Sequence, residues 1–535
     1  DSQNGFRCNR SCSEHIFLLD SAIRKTMNEG KILYACFIDL KKAFDFVNRD
    51  LLMLKLLRNG IDGKFYKTLE AMYLKPNYCV QVGNNVTNWF SSANGVKQGD
   101  SLSPTLFALY INDLLQNIQN SGMGVKYDDQ LILNILAYAD DIVLFSDNPE
   151  ELQEMLNLVN DWCKKWRLKI NTEKTKIVQF RKSRKQRNDT CRFILQGSEL
   201  SEVSNYKYLG VIFDENLKYN VACSTLASAA RRALGKIIYK SKTISGLGYN
   251  TYTTLYNSMV SPILEYGSEV WGHIDIKCSE KIDNAAIRYF LGVHRFAPLA
   301  GLAGDMGWTG VHDRIIAKMT NFYNRLQNTP NERIIKKVFL SEKLLLHENS
   351  WSFKMRNILD SINLEHLFDT NQIIDSQHLA LRLRENFQTK WVDSVRSKPK
   401  LRLYEKLKNT PETENYVKAN LPKFERSLIA QLRLGILPLR IETGRYVNEQ
   451  IPDRICTLCN ANQVEDEIHF VLYCDRYMRQ RTEFFTYANI DVNTYNRHND
   501  VEKLKMMFNN SHSFGRYLRS IFNVRRQYLY ATQNT

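Results

Sequence analysis

Three aspartates sit where a carboxylate is costly. Asp39 stands near the end of an apolar run, Ile32 to Leu40 (ILYACFIDL), long enough for a strand buried on both faces. Asp140 and Asp141 stand side by side between the apolar arms of ILAYADDIVLF, residues 135–145, the pattern of a β-hairpin with acid at its tip. Desolvating unpaired charge is expensive, and a bound cation relieves that cost. Hard divalent ions such as magnesium take oxygen ligands, few of them from protein when phosphates supply the rest. Two such ions, roughly 3.5–4 Å apart, activate a hydroxyl nucleophile and neutralise charge on a leaving pyrophosphate. A bare Asp-Asp pair is more often a turn, because Asp is common in turns, so the chemistry depends on what accompanies it.

A second cluster lies near the other end. Cys456-x2-Cys459 followed by His469-x4-Cys474 brings four borderline-soft ligands into a short segment, the spacing of a closed tetrahedral zinc site. With no open position, such a zinc builds structure rather than catalysing. Elsewhere the cysteines are scattered singly, as at Cys36, Cys79 and Cys163. That is not the pattern of a secreted disulfide framework, so a reducing, intracellular compartment is expected.

The formal charge of +16 and a pI near 9.2 favour a polyanionic partner. Two basic runs stand out, Arg181, Lys182, Arg184, Lys185 and Arg187, and then Arg516, Arg519, Arg525 and Arg526. Each run taken alone is more often a solvated face. No apolar stretch approaches the roughly 20 residues that span a bilayer, so no membrane partner is expected. A chain of 535 residues suggests two to four domains.

The elements that must position these groups are readable in part. A helix fits Ser13 to Glu29, with Phe17, Leu18, Ala22 and Ile23 on one stripe and Gly30 as its stop. Asn48 caps a helix bearing Leu51, Leu52, Leu54 and Leu57, and another helix runs from about Gly63 to Tyr73. Tyr78 to Phe90 reads as a hairpin turning at Asn84-Asn85. A loop from Gly95 to Asp100 follows, and Ser103 as N-cap with Pro104 at the first helical position opens the next helix. Asn148-Pro149-Glu150-Glu151 opens a helix with a clear core stripe. Short strands are expected at Leu168–Asn171, Lys176–Phe180, Arg192–Leu195 and Tyr206–Phe213. Beyond about residue 216 the pattern is helical, and from 300 to 450 it is only amphipathic helix with basic surface.

Six segments now fall in one order: NGFRCNRSC at Asn4–Cys12, FIDLKKAFDFVN at Phe37–Asn48, GVKQGDSLSPTLF at Gly95–Phe107, AYADD at Ala137–Asp141, LKINTEKTK at Leu168–Lys176 and YLGVIFD at Tyr208–Asp214. In this order they resemble the reverse transcriptase of non-LTR (LINE-like) retrotransposons of the jockey or CR1 sort. The resemblance implies an α+β right-hand polymerase: partial fingers and palm over 1–215, a helical thumb over 216–300, a helical linker region over 301–450, and a CCHC zinc segment with a basic helix over 451–535. It implies that Asp39 and Asp140 bind two Mg2+ ions with Asp141 beside them, and that Phe44 is a steric gate against a ribose 2′ hydroxyl. Lys97, Gln98 and Gly99 match the loop that meets template and nucleotide. Arg7 and Arg10 remain as possible phosphate contacts, Lys174 as a proton donor to pyrophosphate, and Tyr208, Leu209 and Gly210 as the primer grip. Cys456, Cys459, His469 and Cys474 match the CCHC segment that closes many such proteins.

The function so implied is RNA-directed DNA polymerisation in target-primed reverse transcription. The partners are template RNA, primer or target DNA and deoxynucleoside triphosphates, in the nucleus with a cytoplasmic ribonucleoprotein stage. Two alternatives stand beside it: a domesticated remnant that binds nucleic acid without polymerising, and an RNA-dependent RNA polymerase. Tyr138-Ala139 before the aspartates and the aromatic Phe44 favour DNA synthesis. The chain opens at Asp1, inside a patterned segment, so earlier finger motifs are expected upstream, and an endonuclease is expected from missing sequence or another protein.

Overall fold

The structure, a computed structural model, describes residues 2–74, 76–128 and 130–533; the side chains of Arg184 and of residues 530–533 lie outside the described set. Leu33–Ile38 (β1) is buried at all six positions, as its unbroken apolar run requires. It is preceded by a helix, Cys12–Asn28 (α1), and followed by Arg49–Arg58 (α2), Gly63–Leu74 (α3) and Ser103–Gln119 (α4). Next come the two arms of the acidic hairpin, Ile135–Tyr138 (β2) and Asp141–Ser146 (β3), then Pro149–Trp166 (α5) and Lys176–Phe180 (β4). The strands form one antiparallel sheet in the order β4-β1-β3-β2. Ile38 of β1 lies opposite Ile142 of β3, and that register carries Asp39 to the hairpin tip.

Tyr34, Cys36, Ile38, Ile142 and Leu144 share a core with the apolar faces of α2, α4 and α5. α1 packs on the sheet through β1 and β2. It is buried on nearly every side, not along one stripe, because residues from 318–374 cover its outer face. Phe17 meets Phe322 at 5.6 Å and Trp351 at 5.5 Å between ring centroids. Two carboxylates caught in this layer are paired. Asp20 accepts from Arg24 and from Tyr219, both at 2.7 Å, and Glu342 accepts from the backbone N–H and the hydroxyl of Ser352, both at 3.3 Å.

Several local expectations need correcting. Asn48 does cap α2, accepting from Leu51 N–H at 3.0 Å, but Leu54 and Leu57 face solvent, whereas Leu52, Met53 and Leu56 are buried. With them goes Lys55, whose ammonium lies 2.6 Å from Asp113 and is boxed by the rings of Tyr110, Trp162 and Trp166. Desolvation holds Lys55 down to about 8. Ser103 is the first residue of α4 rather than its cap, and its hydroxyl donates to Lys97 O at 2.6 Å. The hairpin before α4 turns at Gly83-Asn84, one residue earlier than read, since Val82 pairs with Asn85. Leu168–Asn171 makes a single bridge, Leu40 with Ile170, instead of a strand. Asn148 caps α5 as expected.

The chain divides into two compact units, each gathered from separate stretches. The first comprises residues 1–222, 266–275 and 318–374, and the second 223–265, 276–317 and 375–535. The reason is visible in α1 for the first unit, whose core is completed from 318–374. In the first unit, too, Trp271 and Gly267 of YGSEVWG pack beside a hairpin formed by Asn205–Tyr208 (β5) and Val211–Asp214 (β6). The second unit is helical. Within it Cys223 and Cys278, solitary in sequence, are joined as a disulfide. Arg314 binds Asp283 at 3.0 Å and Glu265 at 2.6 Å, and Arg433 binds the buried Asp305 at 2.9 Å.

Candidate active site

The hairpin tip that presents Asp140 is braced from behind. Ala139 takes a left-handed conformation, φ +56°, where β2 gives way to β3. Gln3 accepts from the Ala139 N–H at 3.0 Å and from the Gly5 N–H at 2.9 Å. Ser2 O accepts from Ala137 N–H at 2.7 Å, and Asn4 N–H donates to Ala137 O at 3.1 Å, so residues 2–4 run beside β2. A Cβ on Gly5 would stand 2.4 Å from Ala139 N, so only glycine permits this approach. Asp39 is fixed separately: its N–H donates to Thr175 Oγ1 at 3.2 Å and its carbonyl accepts from Asn171 N–H at 2.8 Å. Sequence reasoning missed both Gln3 and Thr175. Thr175 lay inside LKINTEKTK and was findable there, whereas nothing in the spacing marked Gln3.

The acids feel one another. Burial, and then the charge of Asp39, hold the Asp140 carboxyl above its usual range; for Asp141 the causes are burial, then Asp140, then Asp39. Tyr206 and Tyr208 of β5 are raised too, first by burial and then by the charge of Asp141, which sets β5 close to the acids. Tyr206 stacks on Phe37 at 4.2 Å. Three neighbouring carboxylates that repel one another suit a hard divalent cation.

Phe44 is half-buried, stacked on Phe107 of α4 at 4.5 Å. Its carbonyl accepts from Val96 N–H at 3.0 Å, and Gln98 Nε2 donates to Asp45 Oδ1 at 2.8 Å. The expected gate and the expected nucleotide loop are thus joined to each other. Gly99 has φ +84°, and the Lys97 ammonium lies 5.5 Å from the Tyr73 ring. Arg7 is exposed and donates to Gln3 O at 3.2 Å, while Arg10 is near enough to Glu14 to pull its carboxyl down against the stronger effect of burial. Lys174 is exposed. Leu209 and Gly210 form the tight turn between β5 and β6, at φ +45° and +86°, and Tyr266 donates to Leu209 O at 2.9 Å. Tyr208 is buried, its hydroxyl 3.5 Å from His15 Nδ1.

In the second unit Cys456, Cys459, His469 and Cys474 converge, each offering one ligand atom, all within 4.8 Å of one another. A hydrogen bond from Cys474 holds the Cys456 thiol far below its usual range, to about 3, which favours a thiolate. Gln463 sits 3.1 Å from His469 Nδ1 and orients the ring. Three sulfurs and one imidazole suit zinc. The basic runs are less basic as surfaces than they read. Arg181 is buried against Glu215 at 2.7 Å, and Arg525 against Glu465 at 2.8 Å, both as structural ion pairs; Arg516 and Arg526 are exposed.

Residues 1–213 match the family model of reverse transcriptase (RNA-dependent DNA polymerase). The chain is similar to the RNA-directed DNA polymerase from mobile element jockey of Drosophila funebris, 24% identical over 338 residues, covering 62% of this chain and 36% of that protein. To the probable RNA-directed DNA polymerase from transposon BS of Drosophila melanogaster it is 27% identical over 337 residues, 61% of this chain and 36% of that protein. The chain therefore spans about a third of the length of these relatives. A telomerase from Candida tropicalis, solved with a fragment of telomeric RNA, aligns with 72% of this chain and 53% of its own at 11% identity and a TM-score of 0.31, too distant to carry fold or function. Over residues 1–213 the chain thus matches the reverse transcriptase family model, and the relatives it is similar to are RNA-directed DNA polymerases of mobile elements.

Proposed function

We propose that the chain is an RNA-directed DNA polymerase that extends a primer by two-metal nucleotidyl transfer, in target-primed reverse transcription. The observation that carries this reading is the meeting of Asp39, Asp140 and Asp141 at one end of the sheet, where burial and then neighbouring carboxylate charge hold Asp140 and Asp141 above their usual range. Asp39 and Asp140 would hold both Mg2+ ions, with Asp141 the neighbouring acid. When bound, the ions supply activation of the primer 3′ hydroxyl and neutralisation of the leaving pyrophosphate. Phe44, held by Phe107, excludes a ribose 2′ hydroxyl. Gln98 and Gly99 receive the template base and the incoming deoxynucleoside triphosphate, and Lys97, Arg7 and Arg10 meet phosphate. Lys174 gives a proton to the departing pyrophosphate, and Tyr208, Leu209 and Gly210 steady the primer end.

Cys456, Cys459, His469 and Cys474 hold a structural zinc in this reading, and Arg516 and Arg526 nearby in sequence add charge for template RNA or target DNA. The nick that frees the primer comes from an endonuclease outside residues 1–535, and the work is nuclear, after a cytoplasmic ribonucleoprotein stage. Primer extension on an RNA template with magnesium tests the central claim. The expected outcome is extension with deoxynucleotides, little with ribonucleotides, and none by Asp140→Ala; no extension by the unmutated chain would overturn it.

A further inference from the structure

Between Glu70 and Asp100 the chain has no acidic residue, and there it holds large apolar side chains in water. Residues 77–91 fold as a narrow ribbon, Asn77–Tyr78 pairing with Phe90–Ser91 and Gln81–Val82 with Asn85–Val86. Trp89 is 69% exposed and Phe90 51%. The ribbon is nonetheless well anchored. Arg49, buried at the start of α2, donates to Gly95 O at 2.9 Å, Asn94 O at 3.0 Å and the Tyr78 hydroxyl at 3.2 Å, and also to Ser92 O. Beyond the ribbon Gly95 N–H donates to Val47 O at 2.8 Å and Val96 N–H to Phe44 O at 3.0 Å. One buried guanidinium therefore ties an exposed aromatic surface to the backbone that carries Phe44 and leads into Lys97, Gln98 and Gly99.

We propose that Trp89 and Phe90 form a base-stacking platform for single-stranded template approaching the carboxylates; the proposal rests on the polymerase reading above. Every base has a flat π-face, so stacking on exposed aromatics tolerates any sequence, which a copying enzyme requires. The absence of carboxylates from this stretch removes repulsion of phosphate. A protein partner would find the same apolar side chains, but the acid-free stretch and the net charge of +16 favour a polyanion. A duplex hides its base faces and has nothing to stack.

The test is equilibrium binding of the full chain to a labelled oligouridylate of about twenty nucleotides, and to a duplex RNA of the same length, without nucleotides or divalent ions. Trp89→Ala and Phe90→Ala should each weaken single-strand binding by roughly tenfold, the size of one lost base–aromatic stack. Trp89→Phe should restore most of it, duplex affinity should stay within twofold or so, and thermal unfolding should not move. Unchanged single-strand affinity in folded Trp89→Ala overturns the platform, and so does an equal loss on duplex. If Trp89→Ala instead abolishes self-association in sedimentation and leaves RNA binding intact, the ribbon is a protein interface and the proposal falls. Binding that depends on Trp89 in a chain that extends no primer upholds the platform and defeats the polymerase reading; extension by a chain whose binding ignores Trp89 does the reverse.

Discussion

Gln3 satisfies two backbone N–H groups, those of Ala139 and Gly5. Gln3→Ala leaves both unpaired near the hairpin tip, at a cost of about 1–3 kcal/mol. Chemical denaturation should register that loss, and primer extension should fall by more than the loss of folded protein explains, because Asp140 is no longer held. A second residue-scale outcome concerns pH. Burial, helped by the charge of Asp20, raises Glu342 from 4.5 to about 7, against smaller opposing pulls from Ser21, Ser352 and Arg24. Between those values the folded chain keeps a proton that the unfolded chain releases, so stability present below 4.5 is lost as pH rises through about 7. Glu342→Gln should flatten the slope of unfolding free energy in that window, by up to about 3 kcal/mol across it. Of the candidate site, Asp39, Asp140 and Asp141 were legible because acids in apolar runs stood within an ordered set of motifs. Gln3 was not, because a glutamine's hydrogen bonds over a separation of 136 residues leave no local trace.

At the scale of elements, the turn between β5 and β6 is the most tightly determined part of the expected primer grip. A Cβ on Gly210 would lie 2.7 Å from the Tyr266 ring at a backbone φ of +86°. Gly210→Ala should therefore cost about 1–3 kcal/mol and blunt extension, whereas Tyr266→Ala with it should recover part of the stability by opening space. The Cys/His cluster, read as a zinc site, makes an element-scale prediction as well. Chelation at neutral pH should lower the melting temperature of the chain, and Cys459→Ser should reproduce the shift and make it insensitive to chelator. β1, the acidic hairpin and α5 could be read in advance, since run length, alternation and a capping Asn are local signals. The burial of Lys55 could not, because its aromatic box comes from α4 and α5. Arg181 and Arg525 misled for the same reason: a run of like charge does not disclose which member meets a distant glutamate.

For the whole molecule, the informative feature is how the chain is threaded, crossing between the two compact units five times. The expected boundaries at 215, 300 and 450 follow motif order and helical pattern, while α1 has apolar residues on nearly all sides and must find two layers, one of them far along the chain. Residues 1–215 expressed alone should consequently be poorly soluble and bind hydrophobic dye, with limited protection from proteolysis, although they contain all three aspartates. A soluble, cooperatively melting fragment would contradict this threading. The same feature bears on biosynthesis. Phe17 leaves the ribosome more than three hundred residues before Trp351, which at about 5–20 residues per second is a wait on the order of tens of seconds. During that interval the nascent chain displays an uncovered helix face that only its own later sequence can shield, so its yield should depend on holding chaperones more than on the final stability of the fold.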